Sequence, residues 1–524
     1  MLKKILTLVI CLSLSLGTGV VALADEESSL PVAEESSQIF TDLKLTASVV
    51  SIVDTVNEVR TMRCKDMDYL FLPSYADLSK LVLNFDNDII LVATYKNDSA
   101  QVENGVPFDA TSFLTKPYSD GSMAITFTAY IAGVPKEYEL RIMKSANIPS
   151  MFISSEDPIK KGLLYTAENK DHKAKGKMDM VDAQGVPVYM GGLSQIKTRG
   201  NSTWDCVKKP FQIKLNDSFD LIETGIKDNK NKTWILLANA YDPTLIRNSI
   251  AFDFAKNMGI LAPDGRFVDL YYDGQYMGNY FLCEKVQIGK GRVPIDESGY
   301  LLEMDLMYGN QEDHYFTDIA NNTFVIKEPE EISQDRIDSM EAYMNATLAA
   351  ATMGGVDPST GLSVWDYIDM DALARYYVFL ENTANPDMFV SSTFFYLPAG
   401  GKLVAGPVWD FDSSFGLRDE IGANKTYGLT HNMQWISAFL SLSDFKKAVR
   451  KYETEASKYM SKMSSVYVKA TADSIGASQK MDAACWQDFD FNLYHKASSY
   501  SGDINYLKNY ISGRNSWCIN NLGR

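Results

Sequence analysis

Between residues 39 and 148 the apolar positions come in short blocks or alternate with polar ones. "LKLTASVVSIVD", "YLFLPSYAD", "KLVLNFDNDIILVATY", "SMAITFTAYIAG" and "KEYELRIMKSA" succeed one another, broken by Asn, Asp, Gly and Pro. A period of two over four to eight residues, closed by turn formers, predicts strands. Several such strands in a row predict an immunoglobulin-like β-sandwich. This stretch holds no His and no cluster of catalytic groups, so it reads as a spacer or binding module.

From about residue 150 the pattern turns mixed. "MFISS" reads as an entry strand, and "FQIKL" at 211–215 alternates as a half-buried strand does. "DPTLIRNSIAFDFAKNMG", 242–259, has Asp242 and Pro243 as a start signal, apolar residues at helical spacing, and Gly259 as a stop. "FVDLYYDGQYMGNYFLCEKVQI" predicts a hairpin turning at Asp273-Gly274. "WDYIDMDALARYYVFLENTANPD" predicts an amphipathic helix leading to a loop, and "TFFYLPAGGKLVAGPVWDFD" a second hairpin turning at Gly400-Gly401. After about residue 417 the chain reads as mainly helical. The fold class expected is thus multidomain: an all-β sandwich at 39–148, then an α+β domain at 150–524 with a helical C-terminal part.

Chemistry enters with "GPVWDFDSSFG", 406–416. On a strand, Asp410 and Asp412 would point to the same face. Two carboxylates that close repel, and a divalent cation resolves the repulsion; Mg²⁺ suits one or two carboxylates beside phosphate. The alternative is a loop cap and a structural ion pair. Asp387, in "LENTANPDMF", sits where a loop carboxylate can accept a proton from an attacking hydroxyl, although its local sequence equally describes a turn after Asn385-Pro386. In "KTRGNSTWDCVKKPFQIKL", Arg199, Lys208, Lys209 and Lys214 bracket a Gly-Asn-Ser-Thr turn that is able to hold phosphate, or to form a basic surface loop around a structural Arg.

Composition narrows the choice. A net charge of −17 over 524 residues argues against nucleic-acid partners. Lys3 and Lys4, an apolar run and "ALA" before Asp25 read as a signal peptide, 1–24, and then a flexible leader, 25–38. This implies export to the cell exterior or surface, with no membrane span once the signal is cleaved. Five cysteines remain after cleavage, widely spaced and without CxxC, which reads as scattered buried thiols, a Cys485–Cys518 bridge being the pairing left open. Walker, GxSxG and HExxH motifs are absent.

Taken in order, "TRGNSTW…KKPFQIKL", "YDPTLIRNSIAFDFAKNMG", "FVDLYYDGQYMGNYFLCEKVQI", "FVIKEP", "YYVFLENTANPDMF" and "GPVWDFDSSFG" are similar to the spore coat protein H (CotH) kinase family over roughly 155–520. The resemblance implies an atypical protein kinase domain that moves a phosphoryl group from ATP to Ser/Thr of secreted or surface proteins. It implies Asp387 as the catalytic-loop carboxylate and Asp410, with Asp412, as the Mg²⁺ ligand. Lys214 is the expected phosphate-contacting lysine, with Arg199 nearby. The chain departs from standard kinases in three ways. Ser392, expected as a weaker neutral metal ligand, stands where an Asn would take a second metal, the 242–259 segment has no Glu to pair with Lys214, and no glycine-rich loop is present. These departures keep two other readings in view: a kinase-like surface or adhesion protein without turnover, and a glycan-active protein.

Overall fold

The computed structural model describes residues 43–225, 229–418, 434–486 and 495–524. The expected signal peptide and leader, the first residues of the 39–148 stretch, and His431 lie outside the described residues.

The N-terminal strands form two sheets. In spatial order one holds Val56–Arg60, Thr46–Val50, Leu81–Asn84 and Pro107–Phe108; the other holds Met62–Cys64, Met67–Leu72, Val134–Lys144, Met123–Ile131, Ile90–Tyr95 and Asp98–Val102. Alternation along Thr46–Val50 and Leu81–Asn84 turns Ala47, Val49, Leu81 and Leu83 inward. One pairing is parallel, Met67–Leu72 beside Val134–Lys144.

Next along the chain is a closed barrel. Around it run Ser150–Ser155, Ala174–Val181, Pro187–Thr198, Phe211–Phe219, Asn231–Leu237, Gln275–Glu284 and Gly265–Tyr272, the last pairing in parallel with the first. Closure leaves the barrel without an open edge. Asp273 (φ 49°) and Gly274 (φ 83°) make its tightest turn, both in the left-handed region that a two-residue hairpin loop demands.

Between barrel strands lies helix Arg247–Asn257, which starts five residues later than the pattern suggests. The reason is Asp242. Its carboxylate accepts from Thr244 N (2.9 Å) and Arg247 N (2.8 Å), so the chain spends 242–246 in a capped turn before the helix begins. Gly259 (φ 71°) ends the helix as expected.

The remaining sheet runs Tyr315–Thr317, Thr323–Glu328, Tyr300–Met304, Thr393–Leu397 and Val404–Ala405. Helices Gln334–Thr352, Val364–Tyr367 and Met370–Thr383 pack with it, and the described C-terminal residues are helical apart from short connections. Helix Met370–Thr383 is fixed at both ends. Asp369 caps its start, and a buried ion pair, Arg514 Nη2 to Glu381 Oε2 at 2.7 Å, ties its end to helix Tyr500–Asn521. Asn382 Nδ2 also donates to Glu453 Oε2 (2.7 Å) on helix Ser443–Lys462. Ala384 (φ 47°) then turns the chain out of the helix into the loop that carries Asp387. The described cysteines are free and buried, so Cys485 and Cys518 are not bridged. No helix among the described residues is long and apolar enough to cross a membrane.

Candidate active site

The second hairpin ends earlier than its sequence implies. Its strands are Thr393–Leu397 and Val404–Ala405, and Asp410 and Asp412 lie beyond them in a loop. Asp410 has φ 68°, a left-handed conformation that breaks the strand rule for which face each side chain takes. Surrounding groups hold this loop. Val408 N donates to Leu261 O (2.9 Å), and Asn385 Nδ2 donates to Asp410 O (2.8 Å). Phe411 N donates to Asn248 Oδ1 (2.8 Å), Arg247 Nε to Ser414 O (2.9 Å), and Phe415 N to Thr383 O (2.7 Å). Trp409 stacks on Phe252 and Phe411 packs edge-on against Phe379. The aromatic residues that flank the aspartates therefore anchor the loop in the core, with Asp412 buried beside them and Asp410 half-buried.

Asp387 is held by the same Asn385, whose Oδ1 accepts from Asp387 N (3.1 Å). One asparagine thus bridges the loops of both carboxylates. Arg199 comes directly after the Pro187–Thr198 strand at the barrel mouth, with its guanidinium over the Trp409 ring at 5.3 Å.

These groups feel one another. Burial pushes the Asp410 carboxyl up to about 6, and the charge of Asp387 adds to this; Arg199 and the Ser392 hydroxyl pull it back. Burial drives Asp412 well above the carboxylate range, helped by Asp410, Asp387 and Asp242. Asp387 is raised by burial and by Asp305, and restrained by Arg418, 3.9 Å away. Burial lowers Arg199, against the opposing pull of Asp410. Yet Asp387 keeps 32 % of its side chain exposed, and Asp410 and Arg199 are only half-buried. These groups are therefore desolvated and still reached by water, and the cleft is the place where they meet.

The structure therefore brings together Asp387, Asp410, Asp412, Ser392 and Arg199. It does not bring Lys214. Phe211, Ile213 and Leu215 point into the barrel, so Lys214 takes the opposite face of its strand and is exposed. Nor are the neighbouring lysines available. Lys208 is buried against Asp482 and Asn279 O, both at 2.6 Å, and Lys209 is bonded to Trp204 O. The Arg247 side chain serves the loop, and Asp253 pairs with Lys256 at the surface. Sequence reasoning missed Asn248 and Asn385, whose side chains fix the loop, and Arg418, Asp305 and Glu303, which surround it. Burial pushes Glu303 up to about 7 despite Lys327 at 3.4 Å. Only the motifs themselves signalled Asn248 and Asn385, as "RNS" and "NPD".

The carboxylates fit a divalent cation. Asp410 and Asp412 repel one another, and an ion held between them and phosphate oxygens would remove that cost. Among the described residues no three His, Cys, Asp or Glu side chains form a ready-made metal cage. Mg²⁺ needs only one or two protein carboxylates with phosphate and water, so it makes no such demand. The direction of the shifts sets up a stability test. Folded carboxyls held above their unfolded values bind more protons than the unfolded chain between about pH 4 and about pH 6. Without Mg²⁺, the contribution of Asp410 is favourable below that window and is lost as pH rises through it, and the raised Asp412 acts in the same direction. Melting curves across this range should show added Mg²⁺ raising Tm above about pH 6 and doing little near about pH 4. An equal effect at both ends would separate the ion from these carboxylates.

The fold and site define an α+β protein in which a β-barrel and a mixed sheet with helices frame an acidic cleft opposed by an arginine. The family described as CotH kinase protein matches residues 196–518, more than half of the chain, and the chain belongs to that family. It is a kinase-like protein. Among solved structures it is similar to one titled "Shewanella oneidensis MR-1 Toxin Antitoxin System HipA, HipB and its operator DNA complex", with 13% identity and a TM-score of 0.26. That match covers 58% of this chain and 63% of the other, so the chain spans less than two thirds of that protein, and the likeness carries no argument. No curated protein matches the chain.

Proposed function

We propose that the protein is an exported atypical protein kinase that transfers the γ-phosphoryl group of ATP, with Mg²⁺, to Ser/Thr of a secreted or surface protein. The observation that carries this reading is the gathering of Asp387, Asp410, Asp412 and Arg199 in one cleft of a CotH-family chain. In phosphoryl transfer the protein mainly positions groups and opposes developing charge. Asp410 and Asp412 would hold Mg²⁺, which when bound neutralises charge on the phosphate oxygens. Arg199 contacts a phosphate from the barrel side, and Ser392 steadies the Asp410 carboxylate. Asp387 accepts the proton of the substrate hydroxyl; its raised pKa makes it a better base, and the Arg418 charge opposes that rise.

In the same reading residues 1–24 direct export, 39–148 are an immunoglobulin-like sandwich that spaces or binds, and 150–524 are the kinase-like domain. A second reading, a kinase-like surface protein without turnover, draws on the exposed Lys214 and on Ser392 in place of a metal-binding Asn.

The deciding experiment incubates the full chain with Mg²⁺ and γ-labelled ATP and tracks label into the protein itself and into secreted proteins. Asp387→Asn should lower turnover roughly 10²- to 10⁴-fold while ATP still raises Tm. No transfer in the unmodified chain supports the second reading, whether ATP raises Tm, as in a nucleotide-binding protein without turnover, or leaves it unchanged, as in a surface protein that holds no nucleotide.

A further inference from the structure

Cys64 ends strand Met62–Cys64 of the six-stranded N-terminal sheet. Cys485 ends helix Gly476–Cys485, near the other end of the chain. Each is only 4 % exposed. The two segments meet: Lys65 Nζ donates to Ala483 O (3.0 Å), and the Cys64 and Cys485 thiols lie within hydrogen-bonding reach of each other. Cys485 Sγ is also 3.7 Å from Tyr276 O, and Trp486 Nε1 donates to Met277 O (2.9 Å), so the helix end is seated on the barrel strand Gln275–Glu284. The other three thiols have different company. Cys206 lies near Tyr241 and Lys209, Cys283 near Arg199 and Arg292, and Cys518 near Arg514 and Glu453.

We propose that Cys64 and Cys485, free thiols in this structure, join on oxidation in a disulfide that pins the N-terminal sheet to the C-terminal helical part of the chain. Thiols within hydrogen-bonding reach of each other need a short further approach to bridge, and both residues sit at element ends. In the reaction each thiol gives up its proton and one S–S bond forms. The two electrons pass to an external disulfide oxidant, which leaves as two thiols. The hydrogen bond with the Cys64 thiol, and then burial, hold Cys485 well above the usual thiol range in the folded protein, so the bond forms during folding. The bridge is independent of phosphoryl transfer.

The test imposes the oxidising compartment and so does not depend on native export. The full chain is produced in a bacterial periplasm, denatured without reductant, alkylated and digested. The expected product is one linked peptide pair joining Cys64 to Cys485, about 2 Da lighter than its two reduced halves together. Reductant should lower the Tm of the unmodified chain by several degrees and leave that of Cys485→Ser unchanged. Alkylation of both Cys64 and Cys485 before reduction, or linkage of either to a different cysteine, overturns the proposal. Should Cys485→Ser fail to fold, the peptide map of the unmodified chain decides alone.

Discussion

Asp410→Asn should reduce Mg²⁺-dependent phosphoryl transfer by roughly 10³-fold or more, and it should do so in a folded, slightly more stable protein. The substitution keeps the size of the side chain. It leaves untouched the contacts that hold the loop, since these run to the Asp410 carbonyl from Asn385 and to the Phe411 amide from Asn248. What it removes is a negative charge beside Asp387 and Asp412, which the protein alone holds at a cost, as the upward shift of its carboxyl to about 6 indicates. Without Mg²⁺ the variant should therefore melt above the unmodified chain near neutral pH, and it should lose most of the stabilisation that Mg²⁺ with ATP provides. Transfer of labelled phosphate and paired melting curves measure the two effects on the same samples. An active Asp410→Asn protein would show that the carboxylate is not the metal ligand.

Arg199→Met should lower kcat/KM for ATP by roughly 10²-fold, whereas Lys214→Met should leave it within about a factor of two. Methionine keeps an apolar stem and removes the guanidinium, and with it the fork of donors and the cation over the Trp409 ring. Arg199 faces Asp410 across the cleft, so its loss also raises Asp410 further, and the acidic limb of the pH–rate profile should move to higher pH. Lys214 stands on the exposed face of the barrel wall, with no such connection. Steady-state kinetics over a range of ATP concentrations and pH separates the two residues. The reverse ranking would return the phosphate contact to Lys214.

The sequence offered both cations, and only the tertiary structure separates their positions. Lys214 lies in a run, "FQIKL", whose alternation is plain, but period two says only that Lys214 opposes Phe211, Ile213 and Leu215. Barrel closure decides that those three face the interior. Arg199 stands at a strand end beside Gly200, where no periodicity applies, and its position depends on the barrel meeting the Asp410 loop. The aspartates illustrate the same limit. Their i, i+2 spacing suggested one face of a strand. The left-handed backbone at Asp410, held by Asn385 and Asn248 from two other elements, puts them in a loop instead.

Local chemistry was legible because it is local. Asp273-Gly274 makes its hairpin turn and Gly259 stops its helix, since each acts through its own backbone and nearest neighbours, whereas Asp242 holds a turn ahead of the helix rather than its first residue. The ordered motifs likewise carried the family, and the two aspartates flanked by aromatics marked the loop that lines the cleft. Convergence was decided by tertiary structure alone. Asp387, Asp410 and Arg199 reach one cleft only because the barrel, the mixed sheet and the helices bury a shared apolar core. The raised carboxyls and the facing of Cys64 with Cys485 likewise arise from burial between distant segments. Desolvation and charge act through space between groups hundreds of residues apart, so no local pattern in the chain records them.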